Sequence, residues 1–244
     1  MMKLSDRAWR ELGIAPPYLT ECSESDKPDA SPTQQFVAVS LTDKLARPAT
    51  RSAESLAKIA HLAWEQLPAA VEACSACVLN QGRKQSVPGR GDHPARWLFV
   101  GEAPGSEEDQ QGEPFQGAAG ILLDSMLSSL NLSRQKEVYI TNVIKCRPPD
   151  QRTPEITECH ACMPFLERQI ALLQPKIIVA LGRVAAHSLL NSETNLGSLR
   201  NKVHAYRNIP VVVTFHPAYL LRNMPEKGKA WADLCLAKKT LNQA

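Results

Sequence analysis

Residues 97–127 read WLFVGEAPGSEEDQQGEPFQGAAGILLDSML, and this stretch decides the fold. It opens on an apolar run, Trp97–Val100, short enough for a buried strand. Gly101 to Gly105 break the run, acidic residues follow, and apolar residues at helical spacing begin near Ala118. A strand ending in a Gly/Pro turn that bears Glu102 is the usual setting of a binding site in an α/β protein.

The same strand-then-helix pattern recurs through the rest of the chain. Strands are expected at Trp97–Val100, Val138–Thr141, Ile177–Leu181 and Val211–Phe215. Helical stretches follow at Ala118–Leu130, Thr157–Leu173, Ala185–Leu190 and Lys229–Leu241. Such alternation predicts a three-layer α/β/α fold around a mostly parallel four-stranded sheet. Three strand ends run into unusual polar sequence: GEAPG, TNVIKCRPP and HPAYLLR. In a parallel sheet the C-terminal strand ends share one edge, so these segments should converge there.

The chain has 244 residues, of which 22% are charged, and a formal net charge of +3. Residues 1–73 hold 8 Lys/Arg against 10 Asp/Glu, whereas 74–244 hold 20 against 15. The second part is therefore mildly basic, which permits nucleic-acid binding without demanding it. The longest apolar runs fall short of a membrane span, and MMKLSDRAWREL lacks a signal peptide's apolar region. A cytoplasmic protein without membrane attachment is expected.

Residues 1–20 suggest a short helix, Asp6 to Leu12, and a possible docking peptide. Residues 21–55, rich in Ser, Thr, Asp, Pro and Ala, read as a flexible linker, and 56–244 as the folded domain. A helix is expected from Ala53 to Cys74, interrupted at Pro68.

GEAPG lacks the Lys-Ser/Thr of a phosphate-binding loop and the spacing of a dinucleotide fingerprint. Its glycines suit close backbone approach to a flat or anionic ligand, with Gly101 and Ala103 lining it. Phe115 offers a ring for stacking, or else a core anchor. Asn142 carries the donor and acceptor needed to read one edge of an amide-bearing ring, or else caps a turn. His216 follows a strand directly; His93, in a second His-Pro-Ala, precedes one and belongs at the opposite edge. Tyr219, Leu220, Leu221 and Arg222 could form a wedge against a duplex, or the first turn of a packed helix.

Seven cysteines in a reducing compartment point to a metal or cluster site more than to disulfides. Cys74 and Cys77 form one CxxC, Cys159 and Cys162 a second, and Cys146 stands between them. Four thiolates can hold zinc or an iron–sulfur cluster. The His-x-Glu and Pro-Cys-x-x-Cys of a zinc deaminase are missing.

Taken together, Cys74-x-x-Cys77, GEAPGSEED with GEPFQG, VYITNVIKCRPP, the Pro-Phe-Leu-Glu-Arg-Gln-Ile after Cys162, and HPAYLLR resemble the family 4 uracil-DNA glycosylases. The resemblance covers residues 74 to about 241. It implies removal of uracil from DNA through an extruded nucleotide. Phe115 would stack on the base and Asn142 would select uracil over cytosine. His216 would stabilise charge on the departing base, and Glu102 would position water or balance the sugar. Glu108 and Asp109 are weaker candidates for that task or for holding the loop. A structural [4Fe-4S] cluster on Cys74, Cys77, Cys146 and Cys162 is implied, with Cys159 in reserve and zinc as the alternative. Gln116 departs from the family, which usually has Val there. The N-terminal peptide, with Trp9, Leu12-Gly13-Ile14 and Leu19, is similar to that of the psi subunit of bacterial DNA polymerase III. That likeness implies docking on the clamp loader. A second function follows as an alternative: a replication subunit that keeps the glycosylase fold mainly for binding.

Overall fold

The computed structural model describes residues 52–243. The expected docking peptide, and the linker up to residue 51, lie outside the described residues.

Chain order within 52–243 is α1 (Ala53–Ala60), α2 (Leu67–Glu72), β1 (Arg90–Gly91), β2 (Trp97–Gly101), α3 (Ser106–Gln111), α4 (Gly117–Ser129) and β3 (Val138–Asn142). There follow α5 (Ile156–Leu173), β4 (Ile177–Leu181), α6 (Arg183–Leu190), α7 (Leu196–Leu199), β5 (Val203–Tyr206), β6 (Ile209–Thr214), α8 (Pro217–Arg222) and α9 (Lys227–Gln243). The strands form one sheet in the order β1-β3-β2-β4-β6-β5. Its four central strands are parallel and are the four expected from the sequence. The α/β class holds, but the sheet has six strands rather than four. β1 and β5 are added antiparallel at the two edges.

Every residue of β2, β3 and β4 is buried, so β2 and β4 read as unbroken apolar runs, and β3 as one as far as Thr141, instead of alternations. The period of two survives in which layer each side chain joins. Leu98, Val100, Ile178, Ala180, Val211 and Val213 pack with α2, α5 and α6. Trp97, Phe99, Ile177, Val179, Leu181 and Val212 pack with α4 and α9. Helices thus cover both faces, as expected.

The helix expected over Ala53–Cys74 is two helices with a 3-10 turn, Trp64–Gln66, between them. Pro68 does not interrupt a helix but starts one. It sits in the first turn of α2, where its missing N–H costs nothing. Among the described residues no helix is long and apolar enough to cross a membrane.

β2 connects to β3 on one side, while β4 and β6 lie on the other. The chain therefore changes direction at β2, and in such sheets ligands bind beyond the carboxyl ends of the strands at that point. The candidate site lies at those ends of β2 and β4.

Candidate active site and cysteine cavity

Gly101 closes β2, and its register partner on β3 is Asn142. The pairing continues past the strands: Val143 N donates to Gly101 O at 3.0 Å and Ile144 N to Glu102 O at 3.0 Å. GEA and NVIK are therefore held side by side at the sheet edge. A Cβ on Gly101 would collide with Asn142 Oδ1 and lie 2.6 Å from Phe115 Cζ. This close approach is why glycine stands there, and it shows that three expected residues meet at one point.

Phe115 is 4% exposed and adopts φ 55°, a left-handed conformation rare for a bulky residue. Several groups hold it there. Arg134 donates from Nη1 to Pro114 O at 2.8 Å and from Nη2 to Phe115 O at 2.6 Å, with Asp124 on its Nε at 2.6 Å. Glu108 accepts from Gly105 N at 3.0 Å and from Gln116 N at 3.1 Å. It ties the GEAPG turn to the Phe115 loop. Asp109, buried, accepts from Lys84 N at 2.9 Å. Of the two tasks open to Glu108 and Asp109, the geometry gives them the holding of loops. Gln116 is the N-cap residue of α4.

His216 caps α8, its Nδ1 accepting from Ala218 N at 3.2 Å. Its ring lies against Phe115 with centroids 5.3 Å apart. Burial, and then the Arg222 cation, hold the imidazole pKa down to about 4. It is therefore neutral near pH 7, and an accepting Nδ1 leaves its proton on Nε2. Asn142 is 2% exposed, and its Oδ1 is buried without a hydrogen-bond partner. A buried acceptor left unpaired is costly unless a ligand supplies the donor.

Glu102 is partly buried, and that burial raises its carboxyl pKa above the ordinary value, opposed by the Arg183 cation. Arg183 follows Gly182 at the end of β4, and a Cβ on Gly182 would lie 3.1 Å from His216 Cβ. The fourth strand end thus belongs to the site as well. Sequence reading passed over Leu181-Gly182-Arg183, although the rule that gathered the other three ends applies to it equally.

The wedge segment divides. Tyr219 (39%), Leu221 (37%) and Arg222 are exposed, but Leu220 is 1% exposed in the core layer with α4 and α9. The expectation that Leu220 contacts DNA is corrected: on this helical turn it faces inward and anchors α8.

Lys145 was also missed. Fully buried, it donates from Nζ to Asn142 O at 2.7 Å, Thr141 Oγ1 at 2.5 Å and Gln169 Oε1 at 2.8 Å. It fixes the strand end that presents Asn142. A lysine inside the apolar run Val143–Cys146 was the available signal.

On the α2 and α5 side of the sheet, Cys74, Cys77, Cys146 and Cys162 line one cavity with Val71, Ile144 and Phe165. Burial pushes the Cys162 thiol up to about 12, opposed by Lys145. Cys146 is also raised by burial, while Arg83 donates to its Sγ at 2.9 Å. Cys159 does not line this cavity. Burial raises its thiol to about 11, opposed by a hydrogen bond with Ser188. Among the described residues no three His, Cys, Asp or Glu side chains are gathered as a single-ion site requires. His93 lies before β2 at the other edge, exposed and stacked on Trp64 with centroids 4.1 Å apart.

The model of the uracil DNA glycosylase superfamily matches residues 88–236. A type-4 uracil-DNA glycosylase of Pyrobaculum aerophilum is 40% identical over 180 residues, 70% of this chain and 91% of the relative. The chain belongs to the type-4 uracil-DNA glycosylases. Those of Sulfurisphaera tokodaii and Thermotoga maritima are 42% and 44% identical, over 65% and 63% of this chain and 76% and 80% of theirs. A type-5 uracil-DNA glycosylase of Thermus thermophilus is more distant, 37% identical over half of this chain. The matched span takes in all four parallel strands and the residues gathered at their carboxyl ends, but starts after Cys74 and Cys77.

Proposed function

We propose that this protein hydrolyses the N-glycosidic bond of deoxyuridine in DNA, releasing uracil and leaving an abasic site. One observation carries the reading: the buried, unpartnered Oδ1 of Asn142 beside Phe115. Uracil presents an N3–H donor where cytosine presents a bare ring nitrogen, so this acceptor rewards uracil and penalises cytosine. The base must leave the helix stack to reach it. Phe115 and His216 lie together, ring centroids 5.3 Å apart, so a base stacked on Phe115 sits beside the imidazole. From there the neutral Nε2–H donates to the uracil oxygen on which charge grows as the bond breaks. Glu102 follows Gly101 at the same strand end, and its carboxylate would orient water or balance the positive sugar. Tyr219, Leu221 and Arg222 form the surface that meets the DNA.

Cys74, Cys77, Cys146 and Cys162 would hold the [4Fe-4S] cluster. The donor set supports this: four thiols line one cavity, and thiolates are the ligands such a cluster takes. Bound there, the cluster supplies a structural tie between α2, the loop after β3, and α5. Cys159, outside that cavity and bonded to Ser188, is not in this set.

Cluster-loaded protein should convert uracil-containing oligonucleotides to alkali-labile abasic sites. Asn142→Ala should lower kcat/KM about 10- to 100-fold, the cost of one buried hydrogen bond in the complex. Wild type that leaves both single and double strands intact would instead favour the replication-subunit reading.

The pH dependence separates two groups. Glu102 must be ionised and its pKa is raised, so it sets the acid limb of kcat/KM, above the ordinary carboxylate range. His216 stays neutral until about pH 4 and does not contribute above that. Removing the Arg183 cation in Arg183→Gln should move the acid limb to higher pH. An unmoved limb would separate Arg183 from Glu102.

A further inference from the structure

The exposed side chains of α8 rest on groups that lie well behind the site. Asp233, on α9, is fully buried, and its Oδ2 accepts from Arg200 Nε at 2.8 Å. Its Oδ1 accepts from Asn201 N at 3.3 Å. Arg200 also donates from Nη2 to Lys229 O at 2.9 Å. With both edges of the guanidinium engaged, its flat face is held in one place, 4.1 Å from the centroid of the Phe215 ring. Phe215 stacks in turn on Tyr219, with centroids 5.1 Å apart and planes 19° from parallel. Tyr219 is part of the surface that meets DNA, and its carbonyl accepts from Asn223 N and Nδ2, both at 3.0 Å.

We propose that Arg200, clamped by Asp233, is a positioning residue that fixes Tyr219 and α8 through Phe215, so that the wedge is preformed before a nucleotide is extruded from a duplex. The inference rests on the glycosylase reading above and adds to it a specific task. Arg200 is only 11% exposed and is committed to Asp233 and Lys229, so its contribution reaches DNA through the ring stack. The arrangement calls for a planar cation: a lysine could keep the ion pair with Asp233 but could not lay a flat face on Phe215.

This assigns a strand dependence. In a duplex, extrusion must overcome pairing and stacking, and a preordered wedge lowers that barrier. A uracil in a single strand has no partner to break from, and the wedge matters little. Arg200→Lys preserves the buried charge pair and removes the stack. Phe215→Leu removes the ring without stranding a charge, and serves if Arg200→Lys folds poorly.

The test uses the full-length, cluster-loaded protein on one uracil oligonucleotide, alone and annealed to its complement. Both variants should lose about three- to thirtyfold in kcat/KM on the duplex, the range of one cation–π contact. Their single-strand rates should stay within about twofold of wild type, the contact being unused there. A 2-aminopurine beside the uracil should brighten less in duplex complexes of the variants. Equal losses on both substrates, or no loss on the duplex, would overturn the proposal by making the stack purely structural or irrelevant. An inactive wild type would instead sink the glycosylase reading.

Discussion

His216→Ala should lower kcat on uracil-containing DNA by about 10² to 10³-fold with KM little changed, the cost of one preorganised donor to a developing oxyanion. The expectation follows from three features of the residue. Its Nδ1 is occupied by Ala218 N, so Nε2 carries the proton. Burial and Arg222 keep the ring neutral at working pH. Its ring already lies against Phe115, on which the base is to stack. A neutral donor is a weaker electrophile than an imidazolium, but it costs no proton uptake during the reaction. The pH profile distinguishes the two. A cationic His216 would make the rate rise as pH falls through its pKa. A neutral one gives a rate that stays level until Glu102 begins to protonate. His216→Gln, which keeps an N–H donor, should recover part of the loss. A loss below about tenfold on His216→Ala would remove the residue from the chemistry.

The same shift carries a consequence for stability. Its unfolded pKa is near 6.5 and its folded pKa about 4, so the unfolded chain binds more protons between those values. The contribution of His216 to stability is therefore present above about pH 6.5. It is lost as the pH falls toward 4. Thermal melts of wild type and His216→Ala should converge as the pH falls through that window.

How much of this could be read without coordinates depended on what burial does to sequence. β2, β3 and β4 are covered on both faces and show up as short apolar runs with turn residues after them. The edge strands give no such signal. β1 is two residues long, and β5 is four residues long and half-buried throughout. β5 and β6 are joined by Arg207 and Asn208, both at positive φ, a two-residue hairpin turn. Asn208 fits that turn, but Arg207 in the first place hid it. The site residues at strand ends were legible because the parallel topology gathers them. The groups that hold those residues were not. Arg134 behind Phe115, Lys145 behind Asn142 and Arg200 behind Tyr219 act through side-chain contacts made across the fold, and of the three only Lys145, set in an apolar run, carries a mark of burial in the sequence. Leu220 was misplaced for a related reason. Which residues of a one-turn helix face inward depends on how it docks, and its six residues are too few to show a period.

The cysteines give the second large effect. Cys162→Ala should yield colourless protein with little iron or acid-labile sulfide, while Cys159→Ala should stay brown and keep its iron. The spacing alone could not separate these two residues, which lie one helical turn apart on α5. Their surroundings do: Cys162 shares a cavity with Cys74, Cys77 and Cys146, while Cys159 lies outside it and bonds to Ser188. Burial holds the Cys162 thiol at about 12, so without a cation the site keeps its protons, and iron must displace them on binding. Tying Cys74 to Cys162 joins the chain segments before β1 and after β3. In a disulfide, closing a loop of that order removes entropy worth about 4–5 kcal/mol from the unfolded chain. A marked fall in melting temperature should thus accompany loss of colour in Cys162→Ala. Cys159→Ala, which leaves the four thiols of that cavity in place, should melt closer to wild type. Brown Cys162→Ala together with colourless Cys159→Ala would reverse the assignment, and stoichiometric zinc in the wild type would replace the cluster altogether.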